Sequence, residues 1–201
     1  MEGLQLNERD KSAKRESILD AAVIEIAAHG YYNTTVAMIA RRAQVADGTI
    51  YLYFKGKHDL LVAIFQRSME RFTAIGERAM TSAGGPADRL KRLVELHLAL
   101  LGADRDLAVI TQIELRHSVH FMHEFSEGPL RPYLDLIVGV LIDGCRSRVF
   151  RCDLDPVLGA KAVFGVLDEM VTDWVLSHRE GRLTDRVPAV SDLVMAMVTA
   201  N

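Results

Sequence analysis

The spacing of its apolar residues constrains this 201-residue chain more than any other feature, because it follows the helical period from end to end and nowhere sustains the alternation of a strand. In "ESILDAAVIEIAAHGYY", Ile18, Leu19, Ala22, Val23 and Ile26 form one stripe, and Gly30 follows it as a C-cap. Thr34 and Thr35 offer an N-cap to a second, short helix whose inward positions are Val36, Ile39, Ala40 and Ala43. Gln44 to Ala46 reads as a tight turn and Asp47 to Phe54 as a third helix. Lys55-Gly56-Lys57 then breaks the chain before a long helix over 58–81 that carries Leu60, Leu61, Ile64, Phe65 and Phe72. Two short helices across a small turn predict a helix-turn-helix. "TSAGGPAD", residues 81–88, is the strongest breaker cluster, and helices are expected beyond it over 87–101, 104–126, 129–149, 155–179 and 187–199. The expectation is an all-α protein with a three-helix domain over 1–57 and a helical bundle over 58–201.

Composition narrows the function classes. With 49% apolar residues the chain can bury a real core. It has no apolar run of about eighteen residues, and "MEGLQLNERDKSAKRE" lacks the apolar stretch of a signal peptide, so a cytoplasmic location without a membrane partner is expected. Cys145 and Cys152 show no CxxC spacing and are read as reduced thiols. The net charge is −3, and residues 1–60 hold eight Lys and Arg against eight Asp and Glu, so a nucleic-acid surface has to be local. There is no GxSxG elbow, and neither cysteine has a histidine close in sequence, so no catalytic residue is assigned. His117, His120 and His123 rotate progressively around a helix and do not converge on one ion, so no metal and no cofactor are expected.

"VADGTIYLYFKGK", residues 45–57, has the make-up of a helix that enters a major groove. Such a helix is thin at its leading end, where the backbone approaches the bases, and carries donors for phosphate on either side. Gly48 supplies the thinness, Thr49, Tyr51 and Tyr53 supply hydroxyls, and Lys57 stands at the start of the next helix, where phosphate is favoured. Ile50 and Phe54 face the other way, onto Ile39 and Ala40.

"GYYNTTVAMIARRAQVADGTIYLYFKGKHDLL" resembles the DNA-binding region of the TetR family, with its Gly-aromatic pair, Thr-initiated helix and "IA..A.V..GT.Y.YF..K..L" pattern, over residues 15–65. "LALLGADRDLAVITQIELRHS" and "AVFGVLDEMVTDWVLSH" resemble segments of one branch, the acyl-CoA-responsive repressors of fatty-acid degradation. The resemblance implies that Thr35, Thr49, Tyr51, Tyr53 and Lys57 touch phosphate or sugar, with Gly48 allowing base approach. Asp47 departs from the family pattern; an acid there either accepts from a cytosine amino group or favours the helix N-terminus. Lys14, with Lys11 and Arg15, is placed ahead of the first helix, where it can follow the backbone into the minor groove.

An effector pocket needs apolar lining and a few inward polar groups. The candidates are Leu96, Leu100, Arg105, Ile110, Ile113, Arg116, Phe121, Phe164, Leu167 and Trp174, and Arg116 is the preferred donor at the mouth, held by Glu114 or Asp168. The last two long helices, apolar around much of their circumference through Leu158, Ala162, Val166, Met170, Trp174 and Leu193, predict a homodimer. The expected function is a dimeric repressor that binds a palindromic double-stranded operator and is released by a small apolar effector, with long-chain acyl-CoA implied by the resemblance. The long helix over 58–81 is the expected lever. Two alternatives stand beside it: a repressor answering a different hydrophobic ligand, and a helical lipid-binding or enzyme-like protein whose head does not bind DNA.

Overall fold

In the computed structural model the described residues are 2–82, 84–117, 122–123, 128–177 and 181–199, and all of their regular structure is helical. The order is α1 (Glu2–His29), α2 (Val36–Arg42), α3 (Asp47–Ile50), α4 (Lys57–Ser82), α5 (Pro86–Gly102), α6 (Arg105–Gln112) and a 3₁₀ turn (Glu114–His117). After these come α7 (Leu130–Arg146), α8 (Pro156–Leu176), a second 3₁₀ turn (Leu183–Arg186) and α9 (Val187–Val198). None of the described helices is long and apolar enough to cross a membrane.

Two apolar cores form. Ile18, Leu19, Ile26, Ile39, Ala40, Ile50, Phe54, Leu61 and Ile64 close the three-helix head against the start of α4. Met69 and Phe72 of the same helix belong to the second core, with Leu93, Leu98, Tyr133, Ile137, Val163, Leu167 and Val194. One long helix is therefore rooted in both. Arg67 adds a polar tie, donating to Glu16 Oε2 at 3.0 Å and Asp20 Oδ1 at 2.8 Å on α1.

Several local expectations change. α1 begins at Glu2, so Lys14 is an exposed helical residue and not part of an arm ahead of the helix. The polar segment before the apolar stripe is rich in Leu, Gln, Glu, Arg and Lys, good helix formers that extend a helix already started. The α-helix of α3 ends at Ile50, because Leu52 and Tyr53 N–H groups bond three residues back, to Thr49 O and Ile50 O, in a tighter turn. The helix expected over 104–126 stops at Gln112, where tertiary bonds to Glu114 and Arg116 take over from the helical ladder. The turn after α2 is a Schellman turn: Val45 N–H reaches Ala40 O, Gln44 N–H reaches Arg41 O, and Gln44 itself sits at φ +57°.

The cysteines are the plainest correction. Cys145 and Cys152 form a disulfide. A second left-handed turn, with Arg148 at φ +58° and Val149 N–H on Gly144 O, reverses the chain after α7 and brings their Cα atoms to 5.0 Å. Gly144 makes that reversal possible, since a Cβ there would lie 1.8 Å from the Phe150 ring.

Candidate nucleic-acid head and ligand cavity

The loop from Gly30 to Thr34 leads into the helix-turn-helix, and its backbone is gripped from two sides. Gly30 ends α1 at φ +77°, where glycine is strongly favoured. Buried Thr34 donates its hydroxyl to Gly30 O at 2.8 Å. Lys57 Nζ, at the first turn of α4, donates to the carbonyls of Tyr31, Tyr32 and Thr34, the last at 2.8 Å, and lies 4.4 Å from the centre of the Tyr31 ring. Its donors thus face the protein's own loop and not an outside phosphate. Partial burial lowers its pKa from the ordinary lysine value. From the other side the buried Glu114 carboxylate accepts from Tyr31 N–H at 2.8 Å.

Beyond the loop, Thr35 caps α2 by accepting from Met38 N–H at 3.2 Å, which leaves its O–H able to donate outward. Asp47 and Gly48 are exposed, and a Cβ on Gly48 would meet nothing within 4 Å, so the start of α3 presents open backbone. Tyr51 is 59% exposed, Thr49 is half-buried, and Tyr53 packs partly against the head core. Ile50 and Phe54 point inward onto Ile39 and Ala40, as the spacing predicts. Sequence reasoning passed over Leu52, 81% exposed, and the exposed cations Arg41 and Lys55 on either side of α3 in the chain. The signal for Arg41 lies in "IARRAQ", where it stands opposite the inward positions Ile39 and Ala40.

A cavity of about 640 Å³, counting the space at its open mouth, lies among α4, α5, α6 and α8. Phe65, Ser68, Met69 and Phe72 line it from α4, His97 and Leu101 from α5, Thr111 and Gln112 from α6, and Phe164 from α8, together with Leu130 and Met122. Its charged edge is Arg116, paired with Asp168 and donating to Gln112 Oε1 at 3.1 Å. Thr172 Oγ1 donates to the same Gln112 oxygen at 2.8 Å. Of the ligand candidates, Arg116 and Phe164 line this cavity.

The others lie elsewhere. Ile110 is fully buried in the head core, where α6 docks on α1. Leu167 is buried in the bundle core, and Leu100 lines a separate groove with Arg67 and Arg71. Leu96 and Ile113 are half-buried outside the cavity wall. Arg105 stacks 4.9 Å from the Trp174 ring and donates to Val175 O, so these two form a surface clasp between α6 and α8. Phe121 lies outside the described residues, as does His120. Among the described residues no His, Cys, Asp and Glu cluster could hold a metal ion. Helical period shows which face of a helix turns inward but not what it meets there, and this accounts for Ile110 and Leu167.

His97 is set deep in the cavity wall, 3% exposed, as is Gln112. Burial pushes its imidazole down to about 4 and pushes the Tyr133 phenol up, so both are neutral near pH 7. Their Nδ1 and hydroxyl lie 3.0 Å apart.

A family model described as bacterial regulatory proteins, tetR family, matches residues 18–64, and one described as YsiA-like protein, C-terminal region, matches residues 65–197. The fatty acid metabolism regulator protein of Bacillus subtilis (strain 168) is 36% identical over 188 residues, spanning 94% of this chain and 97% of that one. The fatty acid degradation regulator FadR from Bacillus halodurans superimposes with a TM-score of 0.87 at 42% identity, covering 90% of this chain and 94% of that one. FadR from Bacillus subtilis, solved in complex with stearoyl-CoA, gives a TM-score of 0.86 at 36% identity over 90% of this chain and 97% of that one. With both halves matched in order over this span, the chain belongs to the TetR family of bacterial regulatory proteins and is a transcriptional regulator, not an enzyme.

Proposed function

We propose that this regulator represses genes of fatty-acid degradation, binds a palindromic operator as a homodimer, and is released by long-chain acyl-CoA. The observation that carries the reading is the double engagement of one short segment. In α6 and its 3₁₀ turn, Thr111, Gln112 and Arg116 line an apolar cavity, while the interleaved Ile110 and Glu114 hold the DNA-binding head through its core and through Tyr31 N–H. A ligand that fills the cavity displaces the segment that positions the head, and the tilt of α4 adds a second lever. The functional division falls near residue 57, with the head over 1–57 and the sensing and dimerising bundle over 58–201.

Two relatives built alike across nearly the whole chain act on fatty-acid metabolism or degradation, and the B. subtilis protein binds stearoyl-CoA. The cavity fits an acyl chain in its lining, and Arg116 at its edge offers a cation to the ligand's phosphates. Dimerisation is supported by the outer faces of α8 and α9, which leave Leu158 62% and Leu193 51% exposed beside exposed Ala162 and Ala196. On the head, Gly48, Thr49, Tyr51 and Tyr53 are the proposed DNA contacts, with Thr35, Lys14 and Arg41 toward the backbone.

The test is operator binding titrated with octadecanoyl-CoA, free CoA and free octadecanoate. Release by the acyl-CoA alone is expected. Release by the free acid with equal potency would assign a different apolar effector to the same cavity, and indifference to all three would refute the acyl-CoA reading.

A further inference from the structure

His97 leaves one ring nitrogen unexplained. Its Nε2 is buried and has no hydrogen-bond partner among the described residues, and the side chain belongs to the cavity wall. The ring is fixed in place by an aromatic box, with centroids of Phe72 at 5.5 Å, Tyr133 at 5.8 Å and Phe164 at 6.1 Å. Its Nδ1 is already engaged with the Tyr133 hydroxyl at 3.0 Å.

Counting unpaired groups favours one tautomer. If Nδ1 carried the proton, the Tyr133 O–H would have to point elsewhere in an apolar box, and both it and the Nε2 lone pair would be left unpaired. If Tyr133 donates to Nδ1, a single group remains unpaired, the Nε2–H, on a side chain of the cavity wall. An unpaired buried donor is costly, so the site is built for something that accepts from it. No described residue accepts from it, so the acceptor arrives on the ligand.

We infer that His97 is a specificity-determining residue: its Nε2–H donates to a carbonyl oxygen carried by the effector's chain, so that the cavity selects an oxygenated acyl group over a plain hydrocarbon of the same length. This rests on the acyl-CoA reading above and deepens it. The oxygen has two possible sources in that ligand class, the thioester carbonyl itself or an oxo group along the chain.

The experiment needs no variant for its first arm. Calorimetric titration of the wild-type protein with octadecanoyl-CoA, with the matched S-octadecyl-CoA thioether and with 3-oxo-octadecanoyl-CoA separates the carbonyl from the chain. The thioester is expected to bind about tenfold more tightly than the thioether, the size of one buried hydrogen bond lost with its donor left unpaired. Tighter binding of the 3-oxo ligand alone would place the recognised oxygen in the chain and supports the same role for His97. His97→Phe is expected to bind all three alike, and His97→Gln, which keeps a donor, to retain part of the preference. Equal affinities in the wild type, as when a water satisfies Nε2, would overturn the proposal alone, and so would a preference that survives in His97→Phe. Binding of none of the three at micromolar concentration would overturn the acyl-CoA reading and this proposal with it.

Discussion

Replacing Glu114 with alanine cuts the shortest polar path from the cavity to the DNA-binding head. The Glu114 carboxylate is 7% exposed and accepts from Tyr31 N–H at 2.8 Å, two residues before Arg116 at the cavity edge. A hydrogen bond to a buried charged group is worth about 2 kcal/mol, or roughly thirtyfold in an equilibrium constant. If the operator-bound form keeps this bond and the effector-bound form gives it up, the bond sets that share of the coupling. The quantity to measure is the ratio of operator Kd with saturating octadecanoyl-CoA to operator Kd without it, by fluorescence anisotropy. In Glu114→Ala this ratio is expected to fall about thirtyfold toward one, while effector-free operator affinity stays within about threefold. Glu114→Gln keeps an acceptor oxygen and is expected to retain most of the coupling. A Glu114→Ala protein released as completely as the wild type would refute the transmission argument.

Lys57→Ala is expected to weaken binding to every DNA sequence and lower stability by about 1–2 kcal/mol, through the lost loop carbonyl bonds, while leaving the salt slope of binding unchanged; a slope reduced by about one charge would show a direct phosphate contact. Gly48→Leu, whose new side chain projects into open space, is expected to fold normally by thermal denaturation yet lose operator binding by at least about tenfold; unaltered binding would remove α3 from the interface. With its folded pKa near 4 and an unfolded value near 6.5, His97 makes the unfolded chain bind the extra proton between those pH values. Its contribution to stability therefore falls by roughly 3 kcal/mol as pH drops from about 6.5 to 4, a slope that chemical denaturation should find missing in His97→Phe. Cys145→Ser is expected to lower stability by roughly 2–3 kcal/mol in oxidising buffer, as opening a short loop would, and to change little in dithiothreitol.

The head was legible in the sequence because its signals are local. Gly30, Thr35, Gly48, Ile50 and Phe54 each do what their neighbours in the chain demand, and the structure places them accordingly. The cavity is legible only in part: Arg116 and Phe164 line it as expected, but Phe65 and Phe72 obey the same helical period as plain core. In the sequence Phe65 and Phe72 show only the apolar face of a long helix, and His97, among leucines in "VELHLALLG", carries no mark of a cavity residue. α6 carried the opposite error: Ile110 has the spacing of a cavity residue but meets the head. The disulfide escaped for a third reason, since a non-glycine residue, Arg148, adopts the left-handed turn that closes it. Long-range pairings such as Glu114 with Tyr31, 83 residues apart, leave no periodic trace.

Thermodynamic reciprocity tests the central claim most directly. Octadecanoyl-CoA affinity measured on the free protein and on the protein saturated with operator must differ by the same factor as operator affinity without and with octadecanoyl-CoA. A common factor of about one hundred or more is expected, with the effector binding the operator complex more weakly. Equal octadecanoyl-CoA affinity for the free and operator-bound protein would contradict it.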